Sequence, residues 1–382
     1  MMLNATDFGA VKTPCYLYDM NLLRRTLASL KDAIGQRPVH VHYAMKANSN
    51  PEILRAISAA GFGADCVSGG EIRLALECGF KAADISYAGV GKTDDEIILG
   101  LDCGIGCFIV ESIEELAILG DISAARGMKA PVALRINPDI DAHTHQYITT
   151  GLKENKFGID MRLTDKALDV LRRYESLQLK GLHFHIGSQI LTPAPFVELC
   201  RRVNRIAGEI VAQGYPLEFI DMGGGFGIDY DEPDENPIPD LKPFIDAIID
   251  NVDLALCRYV VIEPGRSLVA QCGTLLSHVI YVKEGVGKKF IILDAGMNNL
   301  IRPALYGAHH RIENISTKPG TAMEKYDVVG PICESSDTFA EDENLPRTRR
   351  GDLMAIRSAG AYGETMSSTY NSRPLQSYIL KD

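Results

Sequence analysis

The chain has 382 residues and a mass of 41.8 kDa, a length that suits two domains or one barrel with an addition. Hydrophobic residues make up 46% and charged residues 23%, which excludes a disordered, collagenous or low-complexity chain. With 39 Lys+Arg against 50 Asp+Glu the formal net charge is −11, so the surface repels polyanions, and neither nucleic acid nor membrane is expected as a partner.

No run reaches the ~18 consecutive apolar residues of a membrane span. The start, Met1-Met2-Leu3-Asn4-Ala5, has no basic region and no apolar region of the secretory kind. The nine cysteines are scattered without any Cys-x-x-Cys, and Cys103 and Cys107 are the nearest pair. They read as reduced thiols of a cytoplasmic protein, and no metal is expected.

In chain order, apolar β-type runs occur at Val39–Lys46, Gly63–Val67, Asp84–Ala88, Cys107–Val110, Val132–Asn137, Lys180–Ile186, Leu217–Met222 and Arg258–Glu263. Most are followed by helical periodicity, as in Pro51–Ala60, Gly70–Glu77, Ser112–Ala125, Thr164–Tyr174, Ala194–Ala212 and Leu241–Ile249. Strands alternating with helices imply a parallel sheet, and eight such units over roughly 230 residues fit a (β/α)8 TIM-type barrel better than a doubly wound open sheet. The rhythm stops after Glu263. Runs at Leu275–Val282, Phe290–Asp294, Tyr326–Val329, Leu353–Ser358 and Leu375–Leu380 then predict a C-terminal all-β domain. Asp231–Asp240, acidic and carrying Pro233, Pro237 and Pro239, reads as an exposed loop.

A barrel of this kind builds its active site at the C-terminal strand ends. The first run ends in His42-Tyr-Ala-Met-Lys46-Ala-Asn48, where alternation puts His40, His42, Ala44 and Lys46 on one face. Lys46 is either a solvated strand-end lysine or a desolvated amine that attacks carbonyls. The sixth run carries His183 and His185; an imidazole there stacks on a planar cofactor, ligates a metal, or satisfies a buried hydrogen bond. The seventh ends in Gly223-Gly224-Gly225-Phe-Gly227, a tight turn or a phosphate cradle; the loops after strands 7 and 8 of such barrels are the usual phosphate site. The eighth ends in Glu263-Pro-Gly265-Arg266, an ion pair or a carboxylate for a ring N–H⁺ beside a phosphate. Together these ends offer an amine, an aromatic ring, a phosphate cradle and a carboxylate, a set that suits pyridoxal 5′-phosphate.

The residues Tyr43-Ala-Met-Lys46-Ala-Asn48, His183-Phe-His185-Ile-Gly-Ser188, Gly223-Gly-Gly225-Phe, Glu263-Pro-Gly-Arg266, Cys333-Glu334-Ser335 and Ala359-Gly-Ala-Tyr362-Gly resemble the fold-type III pyridoxal-phosphate decarboxylases of ornithine, arginine and diaminopimelate, the diaminopimelate branch most of all. The resemblance runs from about Thr13-Pro14 to the C-terminus. It implies a barrel over residues 21–265, with residues 1–20 joining 266–382 in a Greek-key-like β-domain. It also implies a homodimer with shared active sites. By motif match, Lys46 carries the cofactor and Asp65 lies near it, His185 stacks on the ring, and Glu263 pairs with the ring nitrogen. Ser188, Gly224, Gly225, Gly265, Arg266 and Tyr362 surround the phosphate. Cys333, from the partner, is the acid that protonates the carbanion. Its neighbours Gly330-Pro331 and Glu334-Ser335 read as a loop, which favours that role over a buried apolar one.

The same resemblance assigns Arg266, Arg302 and Tyr306 to a distal substrate carboxylate, Glu334 to a distal ammonium, and Gly151–Gly158 to a loop that closes on the site. The implied reaction is decarboxylation of meso-2,6-diaminopimelate to L-lysine, the last step of lysine biosynthesis. Ornithine, lysine or arginine as substrate is the alternative within the family, and a non-catalytic pyridoxal-phosphate-binding protein the alternative outside it. Such carriers are bare barrels, for which the tail with Arg302, Cys333, Glu334 and Tyr362 has no use. A metal-dependent barrel hydrolase draws on three His-x-His pairs, His40/His42, His143/His145 and His183/His185, but the first lies too far before the end of its run. A racemase on the same cofactor is disfavoured by Glu263, since that chemistry typically sets a cation against the ring nitrogen.

Overall fold

A computed structural model of the chain describes residues 4–8, 11–138 and 156–382. The chain divides into two compact units. One comprises Leu27–Gly227 and Asp240–Gly265; the other comprises the chain up to Thr26, Ile228–Pro239 and Arg266–Asp382.

The first unit is the expected barrel. Its strands are β1 (Val39–Ala44), β2 (Gly63–Cys66), β3 (Ile85–Tyr87), β4 (Cys107–Val110), β5 (Ala130–Asn137), β6 (Leu177–His183), β7 (Phe219–Asp221) and β8 (Tyr259–Ile262). Each pairs in parallel with its sequence neighbour, and β8 pairs in parallel with β1, which closes the cylinder and excludes the open sheet. Residues 63–66 and 107–110 are buried throughout, as strands covered on both faces must be. Alternation sends Cys107 and Ile109, Ala133, Phe219 and Val261 into one apolar cluster with Ala88. Asp221 stands two residues beyond Phe219 on β7 and continues that face toward the C-terminal end, and Glu263 directly follows β8. The barrel's own packing thereby aims Asp221 at the site.

The helices start where side chains can cap them. Asn50 Oδ1 accepts from Glu52 N–H at 3.1 Å ahead of Pro51–Ala59. Thr93 and Glu96 form a reciprocal capping box on Asp94–Cys103, which Gly104 ends at φ +65°. A helix over Met20–Ile34 went unpredicted, although Leu23, Leu27, Leu30 and Ile34 recur at helical spacing and are buried. No helix among the described residues is long and apolar enough to cross a membrane.

The second unit is an eight-stranded mixed sheet. Its longest strand, Gly273–Glu284, pairs antiparallel with Cys15–Asp19, Lys289–Leu293 and Leu353–Ile356. Ser377–Lys381 runs parallel to Cys15–Asp19, and Met323–Val329 runs parallel to Lys289–Leu293. Three strands of this unit lay outside the sequence reading, Cys15–Asp19, Ile312–Asn314 and Thr338–Pro346. The last is acidic and only Phe339 and Leu345 of it are buried, so it carries little apolar signal. Leu17, Leu276, Ile315, Leu353 and Ala355 form this unit's core. The acidic segment 231–240 holds no helix or strand, as expected of a loop, and Asp234 pairs there with Arg357 at 2.8 Å.

Candidate active site

Strand β1 stops at Ala44, and Lys46 follows on a single 3-10 turn, Met45–Ala47. Met45 and Ala47 are buried and anchor that turn, while the Lys46 side chain is 46% exposed and its Nζ lies 3.0 Å from Asp65 Oδ2. Of the two states open to a strand-end lysine, the amine is in the solvated one. It stands open and is placed by an ion pair. Asp65, on β2, comes beside it because Ala44 and Asp65 are register partners. Burial pushes the Asp65 carboxyl above its ordinary range, Glu263 adds to that, and Lys46 opposes it.

Beside this pair, on the strands that follow β1 around the cylinder through β8, His183 Nε2 donates to Glu263 Oε2 at 3.1 Å, and both side chains are buried. Burial alone raises a carboxyl; here the field and hydrogen bond of His183, then Lys46 and His185, override it and hold Glu263 below the ordinary range. His185 lies past the end of β6, so it does not share a strand face with His183. Desolvation, then the positive Arg135 and Lys46, pushes its imidazole below the ordinary value and keeps the ring neutral. Two buried carboxylate oxygens, Asp65 Oδ1 and Glu263 Oε1, receive no donor among the described residues. A buried acceptor left in that state costs roughly 1–3 kcal/mol. The protonated nitrogen of a pyridine ring would satisfy the second of them, so these residues fit a pyridoxal group.

The glycines after β7 have a packing reason of their own. A Cβ on Gly224 would stand 2.1 Å from the Glu263 carbonyl oxygen, and Gly223 and Gly225 hold φ of +69° and +102°. Backbone cannot yield as a side chain can. Gly224→Ala should lower the unfolding midpoint by the equivalent of about 1–3 kcal/mol, read in a denaturant titration. Gly265 packs against Ala44 and Ala47, beneath the Lys46 turn. Ser188 is part-buried in the loop after β6.

The second unit carries its own cluster. Arg266 Nη1 donates to Tyr230 OH at 2.6 Å, and the guanidinium lies 5.0 Å from the Tyr362 ring centre. Tyr362 holds a left-handed backbone at φ +55°, a conformation that costs a non-glycine residue of order 1 kcal/mol and gathers at functional sites. The buried Arg302 guanidinium lies 4.8 Å from the Tyr230 ring centre, and its Nη1 donates to His310 Nε2 at 2.7 Å. His310 Nδ1 donates to the Arg357 carbonyl at 2.9 Å, which fixes the tautomer that can accept from Arg302. No carboxylate lies within ion-pair distance of Arg302 among the described residues. Burial lowers its affinity for a proton, and Tyr230 opposes that. Tyr306 ends the short helix Arg302–Tyr306 and is part-buried. Cys333 and Glu334 are exposed on a loop; Asn371 Oδ1 accepts from Cys333 N–H at 3.1 Å, and Tyr370 OH donates to Glu334 Oε1 at 2.7 Å.

The histidine pairs do not assemble as a hydrolase needs. His40 stacks on Tyr259 with ring centres 4.1 Å apart, and His42 Nδ1 bonds Ser86 Oγ at 2.8 Å. His143 and His145 lie outside the described residues, as do residues 151–155 of the expected closing loop. Of the rest of that loop, Gly158 N–H donates to Glu111 Oε2 at 3.2 Å, and Phe157 lies under Arg135. Sequence reasoning missed Arg135, Glu111, Asp221, Tyr230 and His310. A lone Arg in the apolar run Val132-Ala-Leu-Arg135-Ile was a usable signal for the first; it pairs with Glu111 at 3.0 Å. The tyrosine and histidine had none.

A closed parallel barrel with an amine held by one carboxylate and a second carboxylate held by an imidazole defines a pyridoxal-type barrel enzyme, and the family model described as pyridoxal-dependent decarboxylase, pyridoxal binding domain, matches residues 20–270. The diaminopimelate decarboxylase of Bacteroides thetaiotaomicron is 52% identical over 376 residues, covering 98% of this chain and 97% of that one. The chain belongs to the diaminopimelate decarboxylase family of pyridoxal-dependent decarboxylases. The crystal structure of diaminopimelate decarboxylase from Helicobacter pylori complexed with L-lysine matches with a TM-score of 0.93 at 41% identity, over 99% of this chain and 93% of that one. The lysine/ornithine decarboxylase of Vibrio vulnificus complexed with putrescine shares the fold, with a TM-score of 0.84 at 24% identity over 99% of this chain and 96% of that one.

Proposed function

We infer that this chain removes CO2 from meso-2,6-diaminopimelate and forms L-lysine, with pyridoxal 5′-phosphate as cofactor. The bound cofactor supplies an aldehyde for the substrate amine and a protonated ring that accepts the electron pair left by CO2. The chain's residues do the rest. Lys46 holds the cofactor covalently and yields it to the substrate amine, with Asp65 fixing the amine. Neutral His185 covers the ring, and ionised Glu263 keeps the ring nitrogen protonated. Ser188, Tyr362, Arg266 and the backbone at Gly224, Gly225 and Gly265 hold the phosphate. Cys333 returns a proton to Cα. We propose a cytoplasmic homodimer in which the exposed Cys333 loop serves the partner's barrel; a face that closes only on assembly accounts for a thiol and a carboxylate left open together.

The observation that carries the substrate choice is Arg302. A buried guanidinium without a carboxylate partner among the described residues favours an anion and repels a cation. Ornithine, lysine and arginine present only a cation at the far end, whereas diaminopimelate presents a carboxylate as well. Arg302, with Arg266 and Tyr306, takes that carboxylate, and Glu334 takes the ammonium. The test is CO2 release from meso-diaminopimelate, lysine, ornithine and arginine side by side. Only the first should turn over; comparable turnover of ornithine would overturn the reading. Arg302→Ala should raise KM for diaminopimelate about 10–100-fold while the cofactor stays bound. A variant that loses the cofactor and keeps its KM would place Arg302 on the phosphate instead.

A further inference from the structure

Asp221 precedes the glycine turn and has no part in the reaction as described. It is the middle of a three-strand row. In register, Asp221 faces His183 on β6 and Val261 on β8, and Glu263 directly follows the end of β8. The side chain is 0% exposed. Its Oδ1 accepts from Gly223 N–H at 2.8 Å, and its Oδ2 receives no donor among the described residues. One side-chain atom from each of His183, Asp221 and Glu263 lies within 4.8 Å of the others.

A carboxyl oxygen of Asp221 and one of Glu263 thus lie within 4.8 Å of each other, and Asp221 Oδ2 and Glu263 Oε1 are both buried without a donor among the described residues. Two carboxyl groups satisfy each other only if one of them carries a proton, since ionised carboxylates accept and do not donate. Two bare charges that close in a buried setting repel strongly. The neighbours decide which group is neutral. Glu263 faces the His183 N–H and the positive Lys46, which favour its charge. Asp221 faces the negative Glu263 and Asp65, opposed by the Gly223 N–H. Burial first, then Glu263, pushes the Asp221 carboxyl well above its ordinary range, in line with that geometry.

We propose that Asp221 is a positioning residue held as a neutral acid, whose O–H donates to Glu263 and, opposite His183, keeps that carboxylate turned toward the cofactor nitrogen. A carboxylate offers about four lone-pair sites. Two are then fixed by donors from adjacent strands, so the group has no freedom left to rotate away, and the remaining sites face the ring. The role rests on the reading of Glu263 as the partner of the ring nitrogen.

The test compares Asp221→Asn with Asp221→Ala. Asparagine keeps the acceptor for Gly223 and replaces the O–H donor by an N–H donor, so it mimics the neutral acid and not the charged one. The dissociation constant of pyridoxal phosphate, read from absorbance on titration, should stay within about 3-fold for Asn and rise about 10–100-fold for Ala, the loss of one hydrogen bond to a charged group. The infrared carbonyl band of a protonated carboxyl in the holoenzyme should vanish in the Asn variant. Equal loss in both variants shows that the charge matters and overturns the proposal, as does an Ala variant that binds like the parent. Should Ala fail to fold, the Asn variant and the infrared band decide alone. Glu263→Gln separates the two layers. If it weakens the cofactor while Asp221→Ala does not, only the role of Asp221 falls; if it leaves the cofactor unaffected, the reading of Glu263 falls and this proposal with it.

Discussion

Lys46→Ala should give a folded, colourless protein whose turnover is lower by a factor on the order of 10³ or more. The fold survives because the turn is held by its neighbours. Met45 and Ala47 are fully buried, and the Lys46 stem is half exposed, so truncating it opens no core cavity. The chemistry does not survive, because among the described residues Lys46 is the lysine paired with Asp65 at these strand ends. Asp65 responds as well. Its carboxyl is already raised by burial and by Glu263, and losing the opposing Lys46 raises it further, so it takes up a proton over a wider pH range. The measurement is borohydride treatment followed by mass spectrometry of the peptide. The parent should lose its yellow colour and gain a pyridoxyl group at position 46; the variant should gain none. A variant that is yellow, reducible and active would remove Lys46 from the mechanism.

The barrel was legible because each of its eight strands is a short apolar run with a helical stretch or a turn behind it. Burial on both faces of a parallel strand leaves no polar alternation to confuse the reading. Strand ends were harder to read. Alternation puts Lys46 on the face of His40, His42 and Ala44, but β1 stops at Ala44, and β6 likewise stops at His183 before His185, so both residues sit on irregular backbone where period two has no force. Their positions follow from the loops, and motif resemblance supplied them where periodicity could not. Asp221 shows the opposite case. Period two does hold over Phe219–Asp221 and places the carboxylate in the lumen beside His183, but the glycines that follow are the stronger local signal. Those glycines are needed in the first place for close backbone packing against Glu263.

In the second unit the reasons differ. Thr338–Pro346 forms its strand by pairing with Met323–Val329 while leaving most of its acidic side chains in solvent, so tertiary pairing decides what composition does not. In the Arg266–Tyr230–Arg302–His310 cluster, Tyr230 meets Arg266 from 36 positions away and meets Arg302 from further still, just ahead of a loop that reads only as acidic and proline-rich. Nothing local marks Tyr230 as the ring against which two guanidinium groups pack.

Cys333→Ala should keep the cofactor colour and the unfolding midpoint while kcat falls about 10²–10⁴-fold, the contribution of a positioned proton donor. Seven of the nine cysteines are buried and one is part-buried; Cys333 alone is exposed, so its removal costs no packing. The loop around it is nonetheless fixed. Buried Asp337 accepts from Ile332 N–H and Met297 N–H, both at 2.6 Å, Gly330 N–H donates to the Asp337 carbonyl at 2.9 Å, and Asn371 holds Cys333 itself. A rigid loop that presents a bare thiol to solvent is built for something that arrives from outside. The dimer reading says that this is the partner's site, and mixing variants tests it. In a C2 dimer with shared sites, co-expressed Lys46→Ala and Cys333→Ala chains form hybrids in which one site receives both defects and the other receives neither. Random pairing then restores about one quarter of parental activity, although each variant alone has almost none. No restoration, with hybrid dimers demonstrated by mass, would mean that Lys46 and Cys333 of the same chain serve the same substrate.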